Sequence, residues 1–316
     1  MAAISGTFTL FLSLLVEAIP FLLAGVLLSS ALLLFVNEER LIRRLPTQPL
    51  LGALAGGILG FLFPVCECGN VPVARRLIAK RAPIAVAVGF LLAAPTINPV
   101  VIWSTWIAFR DRPEIIFLRV AMSLAVAVIL GCLFGLQKDI TPFLQPQVKA
   151  TLFAAQEAAW SPVPTGTFLL GDRQPLVSYL KPNRWRLFLE NSLGELRELG
   201  GLLVLGSAIA AIVQIWLPRD FILTLGRGPI SSVVAMLLLA GLVSICSTVD
   251  AFFALSFSSA FTSGSLLAFL VFGPTIDLKS IGLMLTVFNR QAVFYLFFLT
   301  AQLVFLGCVL VNLHWY

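Results

Sequence analysis

The sequence predicts an all-α polytopic membrane protein with two inverted structural repeats. Each repeat carries a re-entrant helical hairpin and a discontinuous helix, meeting near the membrane midplane. Three observations lead to this reading. Of the 316 residues, 59% are hydrophobic and only 11% are charged, whereas a soluble domain averages about 25% charged residues. Apolar runs such as 8–35 and 291–311 reach the length of roughly 20 residues that a spanning helix needs. The third observation is internal duplication. Pro95-Thr96-Ile97-Asn98 returns as Pro274-Thr275-Ile276-Asp277, and Val65-Cys66 with Asn70 returns as Ile245-Cys246 with Asp250. Glu17 with Gly25 returns as Glu198 with Gly206, and Gly131-Cys132 returns as Gly307-Cys308. Four matches in one order at a spacing near 180 residues divide the chain into a first repeat (1–136), a cytoplasmic linker (137–194) and a second repeat (195–316).

Several function classes fall away at once. His314 is the only histidine, so neither a histidine-built metal site nor a Ser-His-Asp triad can be assembled. No G-x-x-x-x-G-K-[ST] loop is present to cradle a nucleotide phosphate. The net charge of +6 is what basic residues kept in cytoplasmic loops produce, so nucleic acid is not an expected partner. The first apolar run lacks a basic preceding segment and is too long for a cleaved signal. It reads as a retained helix.

Taken in order, the first helix ends at Arg40, Arg43 and Arg44, which marks a cytoplasmic end. The stretch 50–73 lies between this cluster and Arg75, Arg76, Lys80 and Arg81. With both clusters cytoplasmic, it must enter the membrane and return, with Cys66 to Asn70 near its tip. Pro64, Gly69 and Pro72 are expected to interrupt the helix there. The small-residue run 52–60 reads as close helix packing. The stretch 82–109, broken by Pro95 and Pro99, crosses as two half-helices, and 114–136 returns to the cytoplasm. Three crossings and a hairpin per repeat turn the second repeat over. This layout leaves fifteen basic residues inside and five outside, among them Arg119. The proline-rich linker reads as a connector, with a short helix expected near 149–160.

The candidate chemistry lies on the helix-breaking motifs. Cys66-Glu67-Cys68-Gly69-Asn70-Val71-Pro72 sets an acid between two thiols, and Cys246 occupies the duplicated place. Thiolates are soft ligands for monovalent copper, zinc or arsenic-like species, which makes Cys66, Cys68 and Cys246 the candidate metal or metalloid ligands. Packing as small apolar residues is the alternative, and a Cys66–Cys68 redox pair is a third reading, although C-x-x-C is the commoner redox spacing. Cys132 and Cys308 read as packing residues. The breaks at Asn98 and at Thr275, Asp277 and Lys279 expose helix-end carbonyls and amides that can bind ions. The intramembrane charges are costly and mark a substrate or proton path. The expected substrate site is thus Cys66, Glu67, Cys68, Asn70, Asn98, Cys246, Asp250, Thr275, Asp277 and Lys279. Desolvation favours a neutral carboxyl group, so Glu17, Asp250 and Asp277 are the candidate proton carriers.

At these motifs the chain resembles the predicted permeases that include the organoarsenical (trivalent methylarsenical) efflux permeases. The resemblance rests on Glu17-Ala18-Ile19-Pro20-Phe21-Leu22-Leu23-Ala24-Gly25, on the run from Cys66 to Ala74, and on Gly89 to Pro99. In the second half it rests on Cys246-Ser247-Thr248-Val249-Asp250-Ala251-Phe252 and on Phe272 to Lys279. It implies a bacterial plasma-membrane permease, with efflux of trivalent arsenicals as one activity of the family. Glu67 stands where the family often has serine, and Asn70 where an apolar residue is more usual. The expected partners are the lipid bilayer and a small solute or ion, with no cofactor, and a homo-oligomer is compatible with the sequence. A proton-coupled secondary transporter is the leading expectation. A membrane thiol–disulfide protein using Cys66 and Cys68, or a passive channel, are the alternatives.

Overall fold

The computed structural model describes residues 2–35, 45–63, 67–137, 141–146, 148–149, 184–216, 228–247 and 249–314. Among them the chain is helical, with one isolated bridge between Leu144 and Phe288 and no strand. The helices are α1 (Ala2–Phe35), α2 (Pro49–Leu62), α3 (Glu67–Ala79), α4 (Ile84–Ile97), α5 (Pro99–Ala108) and α6 (Glu114–Gly135), then, after the linker, α7 (Arg184–Trp216), α8 (Ser231–Val243), α9 (Asp250–Leu255), α10 (Ser263–Thr275), α11 (Leu278–Met284) and α12 (Arg290–His314). Helix α7 begins inside the stretch assigned to the linker, and most of the helix expected at 149–160 lies outside the described residues.

Both series run in the same order: a long helix, a broken pair, a second broken pair and a long closing helix. The breaks have local causes. Pro99 opens α5, where its missing N–H costs no hydrogen bond, and Asn98 caps that helix by accepting from the Val101 amide at 2.9 Å. At the equivalent place Asp277 caps α11 in a reciprocal box with Ser280. Helix α8 stops where Ser244 adopts φ 43°, a left-handed cap. Helix α3 stops where Arg81 takes φ 57°, with Ala82 N–H bonded to the Leu77 carbonyl and Arg81 N–H to that of Ile78.

Two sequence expectations are corrected. Gly69 and Pro72 lie inside α3, which starts at Glu67. Pro95 lies inside α4, which runs on to Ile97, and the Leu91 carbonyl that Pro95 leaves without a helical donor accepts from Asn70 instead. Gly69 is where the α1 backbone comes closest, since a methyl group at Gly25 would overlap the Gly69 backbone. Pro72 is the sixth residue of α3, and packing against α1 and α4 surrounds the turn in which it removes a backbone donor.

Helix directions follow from what touches what. Gly52, Gly56 and Gly60 of α2 meet Ala85, Val86–Phe90 and Ala94 of α4 in turn, so the two helices run parallel at backbone contact. Their starts, Pro49 and Ala85, both lie at Gly135, where α6 ends. Likewise Pro229, just before α8, and Gly264 of α10 both bond Asn312 near the end of α12. Phe143, beyond the end of α6, packs on Phe134 and on Tyr295 at the start of α12. Gln145 donates to the carbonyls of Leu285 and Phe288, tying the start of the linker to the α11–α12 turn. Helices α6 and α12 therefore run in opposite directions. The end at which α6 finishes and α12 begins is called the linker end below.

The surface is apolar where a soluble protein would be polar. Phe8, Val16, Trp103, Phe117, Phe294 and Leu313 stand more than half exposed, while Glu67, Arg76, Arg119, Asp250, Asp277 and Lys279 are buried. That distribution fits a lipid surround, in which only apolar side chains face outward without penalty. Five described stretches, Ser5–Ala31, Ile84–Ala108, Glu114–Gly135, Ser263–Met284 and Arg290–His314, are long and apolar enough to cross a membrane.

Candidate functional site

The breaks bring charge and sulfur together inside this apolar body. Glu67 opens α3, where the amide ends of the first turn favour an anion, and Cys68 follows it. Cys246 lies in the break between α8 and α9. Asp277 and Lys279 lie at the start of α11, and Glu17 approaches from the middle of α1. The Lys279 ammonium is within electrostatic reach of Asp277, Glu67, Cys68 and Cys246. The Glu17 carboxylate accepts from the Cys246 thiol and feels Lys279. Five of these six are nearly sealed, with Glu67, Cys68, Cys246, Asp277 and Lys279 at 4% exposure or less. Helix α3 packs on α11, so the cluster joins both halves of the chain.

Its polar atoms are incompletely satisfied. Glu17 Oε1, Glu67 Oε2, Asp277 Oδ2 and Asn70 Oδ1 are buried without a hydrogen-bond partner. An orphaned buried acceptor costs about 1–3 kcal/mol, more when charged. With all three carboxylates ionised, one lysine leaves the cluster with excess negative charge. The arrangement can therefore accept a proton, a cation, or a solute carrying donors and a thiophilic centre.

The other expected site residues separate into distinct roles. Asn70 reaches across to α4, donating to the Leu91 carbonyl at 2.7 Å. Asn98 donates to the Ala94 carbonyl at 3.0 Å while capping α5, and Thr275 donates to the carbonyls of Val271 and Phe272. Thr96 makes the matching bonds in the first half, to Leu92 and Ala93. These side chains close the broken helix ends. Asp250 binds Arg119, with its two oxygens at 3.2 and 2.5 Å from the two guanidinium nitrogens, and Arg119 also donates to Thr105 at 2.7 Å. Cys66 lies outside the described residues. Among those described, no three His, Cys, Asp or Glu side chains are arranged to hold a metal ion.

Two features escaped the sequence reading. Arg119, counted there as an outside residue, is 1% exposed inside α6 and paired with Asp250. At the linker end Arg76 pairs with Glu195 at 2.6 Å, Ser29 donates to the same carboxylate, and Arg75 pairs with Glu198 at 3.1 Å. An arginine inside a predicted span was the available signal for the first. The second offered none, because Arg75 and Arg76 read as loop charges. A surface depression lined by Gly228, Pro229, Ile230, Ser231 and Val234 shares no residue with the buried cluster.

Comparison with known proteins places these features in context. The sequence profile of a family described as predicted permeases matches residues 3–313. The UPF0718 protein YcgR of Bacillus subtilis (strain 168) is 39% identical over 304 residues, covering 96% of each chain. A Streptococcus mutans serotype c (strain ATCC 700610 / UA159) protein named "Putative two-component membrane permease complex subunit" is 30% identical over 305 residues, covering 96% of this chain and 94% of the other. No solved structure matches.

Proposed function

The chain belongs to the predicted permease family, and from that premise we propose that it is a proton-coupled secondary transporter moving a small thiophilic solute, a metalloid or metal species, by alternating access. It carries no catalytic role in this reading, and its place is the bacterial plasma membrane, with efflux as the direction. The two halves are inverted repeats whose hairpins, α2–α3 and α8–α9, enter the membrane from opposite ends. What supports the inversion is the opposite course of α6 and α12, with each hairpin and its following helix starting at the end of its own closing helix. Inverted repeats with broken helices at a central site are a common transporter plan.

The observation that carries the proposal is the cluster of Glu67, Cys68, Cys246, Asp277 and Lys279, drawn from both halves and nearly sealed, with the half-buried Glu17 beside it. The thiols bind the solute, with Cys66 beside them in sequence. Glu17, Glu67 and Asp277 each have an oxygen with no partner, and in this reading Asp277 and Glu17 take up the coupling proton while Lys279 faces the carboxylate that remains ionised. Asp250, already held by Arg119, is released from the coupling role. The test is solute flux in proteoliposomes under an imposed pH gradient, with arsenite, a trivalent organoarsenical and monovalent copper as probes. Gradient-driven flux of at least one probe is expected, with loss of the pH dependence in Asp277→Asn. Flux linear in probe and indifferent to pH would overturn the coupled mechanism.

A further inference from the structure

Beyond the buried cluster, the described residues hold three buried or half-buried ion pairs, and all three join the two halves of the chain. Arg76–Glu195 and Arg75–Glu198 lie toward the linker end, where the last turns of α3 meet the later turns of α1 and the first half of α7. Ser29 and Ser30 of α1 complete that layer, Ser29 bonding Glu195 and Ser30 accepting from Ser192. Arg119–Asp250 lies on the other side of the cluster, where α9 packs on α5 at the level of Thr105. Along α3, Arg76 is nine residues beyond Glu67, roughly 13 Å toward the linker end at 1.5 Å per residue. Along α5, Thr105 is seven residues beyond the helix break at Asn98, roughly 10 Å away from the linker end.

In every pair the arginine comes from the first half and the carboxylate from the second. A buried ion pair adds little net stability over a well-packed apolar contact, and its best-attested use is to fix one arrangement against another. Neither buried pair is fully satisfied, since Glu195 Oε2 and Arg119 Nε lack partners. Each can separate without dismantling a complete network. We propose that Arg76–Glu195 with Arg75–Glu198, and Arg119–Asp250 with Thr105, are the two gates of the carrier, and that the structure is the occluded state with both shut. This rests on the transport reading above. It adds which contacts part when the site opens to each side.

The experiment reads gating without flux. The full chain in vesicles is labelled with a membrane-impermeant maleimide from each face, and Cys68 and Cys246 adducts are quantified by mass. Glu195→Gln is expected to raise labelling from the linker face by about tenfold, the change that roughly 1.4 kcal/mol produces, and to lower it from the opposite face. Asp250→Asn is expected to do the reverse. Equal change from both faces, or none, would overturn the proposal. A reversible lock keeps the test independent of folding defects. In Arg75→Cys/Glu198→Cys, a short bis-methanethiosulfonate cross-linker that spans the width of the ion pair should abolish labelling from the linker face alone, and reduction should restore it. A cross-linked pair that leaves linker-face labelling intact counts against the gates. Wild-type vesicles that gate as described but carry none of the probes sink the transport reading and leave the gates standing.

Discussion

Cys68 and Cys246 occupy unlike settings, which bears on how each contributes. Cys68 is the second residue of α3, behind the Glu67 carboxylate, whereas Cys246 sits in a non-helical break two residues beyond the left-handed Ser244. The two thiols thus enter the site from a helix start and from a helix break, one from each half of the chain. The triple replacement Cys66→Ser, Cys68→Ser, Cys246→Ser is expected to weaken binding of a trivalent arsenical by about tenfold or more, read by calorimetry in detergent. Unaltered affinity would return the thiols to a packing role. The residues of this cluster were legible because each charge interrupts an apolar run. Its internal pairing was not: Glu17 and Cys246 are 229 positions apart, and they meet because α1 packs between α3 and α7 beside the second half's breaks.

At the scale of the elements, glycine placement distinguishes contact from flexibility. Gly56 packs on the Val86 carbonyl and the Phe90 amide, whereas a methyl group at Gly200 in α7 would meet nothing within 4 Å. Gly56→Val should therefore force α2 from α4 and cost about 1–3 kcal/mol as overpacking. Gly200→Ala should be neutral or gain up to about 1 kcal/mol from helix propensity. Thermal unfolding in detergent separates the two, and a Gly56→Val protein as stable as wild type would refute the close-contact account. The small-residue run announced this contact, and the duplicated Pro-Thr-Ile motif announced the breaks at Asn98 and Asp277. Pro64 falls in the gap between the end of α2 at Leu62 and the start of α3 at Glu67, whereas propensity alone does not tell that Gly69 and Pro72 stay inside α3. Gly69 lies against Gly25 of a neighbouring helix, a contact that local sequence does not encode.

For the whole molecule, the question is what keeps two halves joined when lipid supplies no hydrophobic drive between apolar helices. Part of the answer is the set of cross-half ion pairs, with Arg119–Asp250 the most deeply sealed at 1% and 2% exposure. Truncating one partner strands the other in an apolar surround, a loss of about 3–5 kcal/mol, whereas replacing both by apolar residues of similar volume is often neutral or stabilising. Arg119→Met is therefore expected to lower thermal stability markedly, and Arg119→Met/Asp250→Leu to recover most of the loss. The double variant should be the better folded and the worse gated, with labelling from the face opposite the linker end raised irrespective of solute. Melting curves together with two-sided maleimide labelling read both quantities on one sample. If the double variant melts as low as Arg119→Met, the pair contributes more than charge balance, and the stabilising role outweighs the switching one at this interface.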